Sequence, residues 1–260
     1  MKKLIIILFM FPLIAWTQNI NTTKSKKFSI GIISNINEGY RYISIVDSSS
    51  FSEELKNDYD ILEFIIKYRN ESEIPSLGYS FGINSELLLS KKLSIDLSIL
   101  FEKKGYETKK TVLTFGDQID PIHGFIYLDD LPEMVTSKFK YKIYYFVMPV
   151  KINYILSEKN KRSLYFTLGG SINRFLYRIN VSKLKYDDKK YITNKGDKFK
   201  DFEKYNSSIL LGVGANYDLT ESFKLKIEPL INYSHDKVFD GPIFLSLYNA
   251  GVNVVVSYKL

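Results

Sequence analysis

Residues 77–102 read LGYSFGINSELLLSKKLSIDLSILFE, and this stretch decides the fold class. On both sides of the Ser-Lys-Lys segment at 90–92, apolar residues alternate with glycine, serine, asparagine and carboxylates. Successive side chains of a β-strand point to opposite faces, so each half predicts a strand with one apolar and one polar face. The stretch therefore predicts an antiparallel hairpin with a short turn.

The same alternation recurs along the chain and predicts eight strands in all. Six further alternating segments begin near Phe28, Lys138, Leu164, Ser208, Phe223 and Tyr248. The links between strands are short at 90–92, 157–162 and 219–222, and longer at 37–74, 108–137, 178–202 and 235–245. This regular exchange of short and long links is typical of an all-β, eight-stranded antiparallel up-and-down transmembrane β-barrel with short periplasmic turns and long extracellular loops. A secreted soluble barrel is the alternative, but it has no reason to gather its long loops at one end.

The amino terminus predicts an export signal that is not part of the fold. Two lysines follow Met1, and the apolar run from 4 to 16 is too short to cross a ~30 Å bilayer as a helix. Ala15 and Thr17 occupy the −3 and −1 positions of a cleavage site before Gln18. We expect a signal peptide at 1–17, a barrel domain at 18–260 and a location in the bacterial outer membrane, with a retained membrane anchor as the alternative.

The composition of the 260 residues excludes several classes of function. The chain has no cysteine, which removes thiol catalysis, disulfide frameworks and thiolate metal sites. Its 36 lysines and arginines outnumber 29 acidic residues, but they are spread along the chain and do not predict a clustered face for nucleic acid. Aromatic residues make up 15% of the chain, so it has abundant material for an apolar surface.

The strand at 138–156 carries a tyrosine near each end of its apolar face, Tyr144 and Tyr154. Ten residues span ~34 Å of strand, which a ~40° tilt reduces to ~26 Å, close to the ~25 Å apolar band of an outer-membrane barrel. Tyrosine suits the two edges of such a band because its ring is apolar and its hydroxyl stays hydrated. We therefore predict that Tyr144 and Tyr154 belong to aromatic girdles. Pro149, on the other face, predicts a bulge or local bend.

The polar faces of the strands predict a charged interior. An eight-stranded barrel is narrow enough to be filled by its own side chains, which excludes a general-diffusion porin. Buried charges of opposite sign should pair, because an unpaired buried charge is costly. The predicted interior charges are Glu86, Asp96, Glu102, Lys151, Lys224, Lys226 and Glu228. A structural plug of ion pairs is the favoured interpretation, and a narrow path for ions or small solutes is the alternative.

Two segments resemble the PorT-like outer-membrane β-barrel family. One is the hairpin at 77–106, which closes with Lys-Lys-Gly-Tyr, and the other is 144–176, where the FVMPV segment leads through a short turn to a strand with Gly169-Gly170. Val147 stands where the family usually has an acid, and Leu260 stands where a terminal aromatic residue is usual. The resemblance implies an integral outer-membrane protein inserted by the barrel-assembly machinery; it does not imply one activity.

The long links are candidate sites of specificity. In 37–74, Ser50 and Glu53 form a capping-box pattern before apolar residues at helical spacing, which predicts a short helix or, alternatively, longer strands. The acids of 108–137 are oxygen ligands suited to Ca²⁺, although no ligand spacing recurs and a solvated loop is favoured. The basic segment at 178–204 is a candidate contact for lipopolysaccharide phosphates.

The sequence predicts no enzyme, no catalytic residues, no cofactor and no metal site. It has two histidines, His123 and His235, and the Ser-His-Asp run at 234–236 cannot form a relay by adjacency, since neighbouring strand residues point to opposite faces. We expect a structural or interaction protein whose partners are outer-membrane lipids and lipopolysaccharide, the barrel-assembly machinery, and envelope or secretion-complex proteins, with no nucleic acid. A narrow conductor is the first alternative, and a lipid-modifying enzyme that uses His235 is the second.

Overall fold

The structure is a computed structural model that describes residues 27–45, 59–114, 134–159, 161–186, 189–197, 203–234, 236 and 243–260. The signal peptide at 1–17, the capping box of Ser50 and Glu53, both histidines and all five acids of 108–137 lie outside these residues. The expectations placed on them stay predictions. No helix in the described part of the chain is both long and apolar enough to cross a membrane.

The described residues form ten strands and one helix. The strands are β1 (Phe28–Ile45), β2 (Glu73–Leu88), β3 (Leu93–Thr108), β4 (Thr111–Thr114), β5 (Met134–Lys159), β6 (Arg162–Tyr186), β7 (Lys189–Asp197), β8 (Tyr205–Asp218), β9 (Phe223–Ser234) and β10 (Ile243–Lys259). The helix, α1 (Tyr59–Ser72), lies between β1 and β2.

Eight of the strands close into a ring in which every neighbouring pair is antiparallel. Around the ring the order is β1, β2, β3, β5, β6, β8, β9 and β10, and β10 pairs again with β1. The prediction of an all-β up-and-down sheet closed as a ring of eight strands is confirmed. We call the end that carries the links 89–92, 160–161 and 219–222 the turn end, and the opposite end the loop end.

The short strands β4 and β7 lie outside the ring and correct the prediction of plain loops at the loop end. β4 pairs with the first residues of β5, and β7 pairs with the last part of β6. Parts of the predicted loops 108–137 and 178–202 are therefore strand. The physical reason is that β5 and β6 continue past the ring, and β4 and β7 satisfy backbone groups that the ring no longer pairs.

The side chains of the ring are arranged with the apolar face outward. Ile32 is 72% exposed and Ile36 is 68% exposed, while Asn35 between them is 6% exposed. The same pattern holds on the other ring strands, where exposed residues include Phe81, Ile99, Leu168, Ile209 and Val254. A continuous apolar exterior of this kind is not stable in water and requires apolar surroundings.

A proline and two register shifts interrupt the pairing of β5. Of the two alternatives predicted at Pro149, the bulge is wrong: β3 and β5 keep one register on either side of it, with Leu97 opposite Val150 and Leu100 opposite Val147. The local bend stays a prediction. The β3–β5 ladder omits only Met148 and Pro149, because proline has no N–H to donate. The register shifts of β5 lie instead opposite β6, between Tyr144 and Tyr145 and between Ile155 and Ser157.

Helix α1 is attached to the loop end of β1 by the side chain of Asn70, which pairs with the backbone of Ile43 as a neighbouring strand would. Asn70 Oδ1 accepts a hydrogen bond from the backbone N of Ile43 at 3.0 Å, and Asn70 Nδ2 donates to the carbonyl of Ile43 at 2.8 Å. Tyr40 Oη also donates to the carbonyl of Asn70 at 3.0 Å. The predicted helical spacing is therefore realised at Tyr59–Ser72, with Ile66 buried against the body of the protein.

Candidate functional site

A cluster of six charged side chains fills the interior of the ring towards the turn end. Its members come from four strands and are Glu86 of β2, Asp96 of β3, Lys151 of β5, and Lys224, Lys226 and Glu228 of β9. All point inward because they share the strand face that is opposite to the exposed apolar residues. We call these six residues the ionic cluster.

The ion pairs of the cluster tie β9 to the opposite side of the ring. Lys226 Nζ lies 2.8 Å from Asp96 Oδ2 and 3.5 Å from Glu86 Oε1. Lys224 pairs with Glu86, and Lys151 pairs with Glu228 and lies 3.7 Å from Asp96 Oδ2. Three ammonium groups thus face three carboxylates, and the cluster is neutral.

Neutral polar groups donate further hydrogen bonds to two carboxylates of the cluster, those of Glu86 and Glu228. Ser94 Oγ donates to Glu86 Oε1 at 2.9 Å, and Asn253 Nδ2 donates to Glu228 Oε1 at 2.8 Å. Tyr165 Oη donates to Glu228 Oε2 at 2.9 Å, and its ring lies 5.1 Å from Lys226 Nζ. Gly214 makes room for this ring, because a Cβ there would lie 2.2 Å from Tyr165 Cζ. Such hydrogen bonds to the charged groups offset part of the desolvation cost of burying the ion pairs.

The seventh predicted interior charge, Glu102, is buried but belongs to a separate pair. Glu102 Oε2 lies 3.2 Å from Lys104 Nζ, and Asn249 Nδ2 donates to Glu102 Oε1 at 2.8 Å. Lys104 was not among the predicted interior charges, although it is 2% exposed and stands two residues after Glu102 on the same strand face. Strand parity was the signal that could have identified it.

An apolar layer lies in the interior of the ring next to Glu102. It contains Ile33, Leu100, Tyr145, Val147 and Val255, each 8% exposed or less. Strand alternation had assigned apolar residues to the outer face alone, so this inward apolar layer was not predicted. Next to it lies a cavity of about 40 Å³ lined by Asn35, Ser98, Leu100, Glu102, Val147 and Lys151, among others. That volume has room for two or three water molecules, far from a continuous aqueous path.

A third set of interior residues lies at the loop end. Arg41 forms a two-contact ion pair with Glu73, with Arg41 Nε donating to Glu73 Oε2 at 2.6 Å. The guanidinium carbon of Arg41 lies 3.9 Å from the ring centroid of Tyr106, which stacks on Tyr141 at 4.7 Å. Burial, and then the positive charge of Arg41, lower the pKa of Arg69 on α1. Sequence analysis missed Arg41 and Glu73 because both lie in a link that had been predicted to be a loop.

The two predicted girdle tyrosines lie on the outer face of β5, ten residues apart. Tyr154 is 47% exposed near the turn end. Tyr144 lies towards the loop end, where its ring stacks on Tyr177 at 4.4 Å and lies 5.8 Å from Phe101. Apolar residues such as Phe146, Val150 and Ile152 occupy the outer face between the two tyrosines.

The described residues contain no candidate metal site. Among them, no group of three or more His, Cys, Asp or Glu side chains is placed to hold a metal ion. Asp236 accepts hydrogen bonds from Ser207 N at 2.7 Å and Ser207 Oγ at 2.6 Å, which ties the end of β9 to β8. His235, on which the enzyme alternative depends, lies outside the described residues.

The charge balance of the ionic cluster makes a prediction about stability. Lys226→Met leaves three buried carboxylates facing two ammonium groups, so we expect the free energy of unfolding to fall by about 3–5 kcal/mol. The double variant Asp96→Asn/Lys226→Met restores neutrality and should recover about half of that loss. Urea titration of refolded protein in detergent micelles, followed by circular dichroism, measures the difference.

Lys92→Met, in an exposed turn, is the matched control and should leave the urea midpoint unchanged. The account of the cluster is contradicted if Lys226→Met unfolds at the same urea concentration as Lys92→Met, or if the double variant is less stable than the single one.

Comparison with known proteins finds distant structural neighbours. No curated protein is similar in sequence to this chain. Neisserial surface protein A is 11% identical, with a TM-score of 0.41 over 91% of this chain and 98% of its own. Outer membrane protein OprG from Pseudomonas aeruginosa is 10% identical, with a TM-score of 0.40 over 93% and 99%. Outer membrane protease OmpT from Escherichia coli is 12% identical, with a TM-score of 0.32 over 92% and 99%. Similarity at this level carries no argument about activity.

A family model supplies the stronger match. Residues 55–234 match the model described as outer membrane protein beta-barrel domain. The match covers more than half of the chain and runs from the segment before α1 to the end of β9. It explains the apolar exterior, since the surroundings of such a domain are the lipids of the bacterial outer membrane. The chain therefore belongs to the outer membrane protein beta-barrel domain family.

Proposed function

We propose that the protein is an eight-stranded transmembrane barrel, closed to solutes, that acts as a structural or interaction protein through the elements at its loop end. The observation that carries the proposal is the filled interior. The ionic cluster, the apolar layer and the Arg41–Glu73 pair follow one another along the axis of the ring. A lumen filled in this way has a structural role and leaves interaction to the exposed ends.

The two ends of the ring differ in the length of their connections, and only the loop end offers a large surface for a partner. At the turn end, the strands are joined by links of a few residues, such as 89–92 and 219–222. At the loop end stand α1, the arm formed by β4, β5, β6 and β7, and the longest connections. In outer-membrane barrels the long connections face the outside of the cell, so we place the loop end there. Envelope or secretion-complex proteins are the partner class that we propose for it.

Three finer assignments accompany this proposal. The resemblance of 77–106 and 144–176 supports placement with the PorT-like group. Residues 1–17 supply the signal peptide that such a location requires. Tyr144 and Tyr154, at the two limits of the apolar exterior of β5, serve as girdle residues at the membrane interfaces.

A narrow conductor is the second candidate, and the cavity beside Glu102 is the observation that favours it. Planar-bilayer recording on the purified protein separates the two functions. Because paired charges and apolar side chains fill the lumen, we expect no steady current, while a general-diffusion porin in the same bilayer conducts. Steady, solute-sized conductance from the wild-type protein would sink the closed-barrel proposal and favour the conductor.

The proposed orientation can be tested with single cysteines, since the chain has none of its own. Lys67→Cys lies on the exposed side of α1 at the loop end, and Lys91→Cys lies in an exposed turn at the opposite end. We expect a membrane-impermeant maleimide to label Lys67→Cys on intact cells. It should label Lys91→Cys only after the outer membrane has been permeabilised. Labelling in the reverse order, or equal labelling of both variants on intact cells, contradicts the orientation.

A further inference from the structure

Four lysines form a row on the outer face of β3 and β5 where the apolar exterior ends. Lys138, Lys140 and Lys142 occupy alternate positions of β5, and Lys103 of β3 lies opposite Tyr144 in register. The residues of β5 between and beside them point inward: Ser137 and Ile143 are each 1% exposed, and Tyr141 stacks on the buried Tyr106. The lysines therefore point outward. We call these four residues the outer lysine row.

The row carries more positive charge than the described residues around it neutralise. Glu107 lies among the lysines, with Glu107 Oε1 2.8 Å from Lys138 Nζ and Glu107 Oε2 3.3 Å from Lys140 Nζ. Lys103 Nζ donates to the carbonyl of Leu77 at 3.0 Å and lies 5.5 Å from the ring centroid of Tyr79. Within the described part of the chain, neither Lys103 nor Lys142 forms an ion pair with a carboxylate. Four ammonium groups thus share one acid.

The row begins at the level of an aromatic cluster. Phe101 lies 5.5 Å from Phe81 and 5.8 Å from Tyr144 between ring centroids, and Tyr144 stacks on Tyr177. On the turn-end side of this cluster the outer face is apolar, as at Ile99 and Val150. Aromatic residues of outer-membrane barrels lie at the level of the lipid headgroups. The ammonium groups therefore face the headgroup layer at the loop end.

We propose that the outer lysine row binds the phosphate groups of lipids in the outer leaflet. The inference rests on the proposed orientation of the barrel and adds a lipid site to it. Phosphate is the anion that a bilayer presents at this level, and lysine binds it as a point charge. Alternate residues of a strand lie ~6.8 Å apart, so neighbouring lysines can contact separate oxygens or separate phosphates of one headgroup. An anion there also relieves the repulsion between like charges.

The outer lysine row is separate from the basic segment at 178–204 that the sequence had indicated. The Nε atom of Arg178 is buried, so that arginine does not present its full guanidinium to the headgroup layer. The outward residue of β6 next to Tyr144 is Tyr177, which belongs to the aromatic cluster. The row adds a phosphate contact on the β3–β5 face, and the contact expected at 178–204 stays a prediction.

The test compares lipid binding by two double variants with the same change in charge. Lys103→Gln/Lys142→Gln removes the two lysines of the row that lack an acidic partner among the described residues. Lys91→Gln/Lys92→Gln removes two exposed lysines of the turn at the opposite end. Purified protein in detergent micelles is titrated with bisphosphorylated lipid A and with the same lipid after removal of both phosphates. Inorganic phosphate is added as a competitor.

We expect the wild type and Lys91→Gln/Lys92→Gln to bind bisphosphorylated lipid A equally, and Lys103→Gln/Lys142→Gln to bind it at least about tenfold more weakly. Dephosphorylated lipid A should bind all three proteins weakly, and inorganic phosphate at equal concentration should not displace the lipid. The urea midpoint of the row variant should match the wild type, because its lysines lie outside the core.

Three results would overturn the lipid site: equal binding by the two double variants, equal binding of the two lipids by the wild type, or displacement by equimolar inorganic phosphate. Each leaves a folded, closed barrel intact, so failure of the lipid site is distinguishable from failure of the proposed function. The bilayer recordings and the cysteine labelling test the proposed function.

Discussion

The ion pairs that β9 makes across the interior are the interactions on which the rest of the structure depends. In a soluble domain, apolar side chains hold the opposite walls together, but here most of them face outward. Lys224, Lys226 and Glu228 instead reach β2, β3 and β5 on the far side of the ring. Because equal numbers of acids and bases are buried together, the cluster avoids the penalty that an unpaired charge would carry.

The exterior follows from the same arrangement. Once polar side chains occupy the inner face, strand alternation places the apolar ones outside, where lipid replaces a protein core. Closure of the ring satisfies the backbone groups that an open sheet edge would expose to hydrocarbon. At the loop end, where hydrocarbon gives way to headgroups and water, β4, β7 and the side chain of Asn70 supply backbone partners beyond the ring. The outer lysine row begins at the same boundary.

Much of the fold, and less of the interior, could be predicted from the sequence. Period-two alternation predicts strands such as β2 and β3 because it depends on local geometry alone. The link lengths predict their up-and-down order. Alternation also led to the seven predicted interior charges; the structure places Glu86 and Asp96 in the cluster and Glu102 in a separate pair with Lys104.

Which residues meet inside depends on strand register and on the curvature of the ring, which no local pattern contains. The inward apolar layer is the clearest example of a feature that the sequence pattern did not predict. Val147 and Tyr145 lie in an uninterrupted apolar run, where both faces of the strand are apolar and alternation alone had predicted a polar inner face. The bulge between Tyr144 and Tyr145, and the extension of β5 and β6 past the ring, likewise arise from pairing between strands. Arg41 and Glu73 meet only because β1 and β2 continue into a segment that resembled a loop.

The central claim is that the protein is an inside-out ring of strands embedded in the outer membrane. Fractionation of cells that express the full chain, combined with electrophoresis of boiled and unboiled samples, tests it most directly. The account predicts that the protein sediments with the outer membrane and that the unboiled form migrates faster, because a closed barrel resists unfolding by detergent. Recovery in the soluble periplasmic fraction, with identical migration of boiled and unboiled samples, would contradict it.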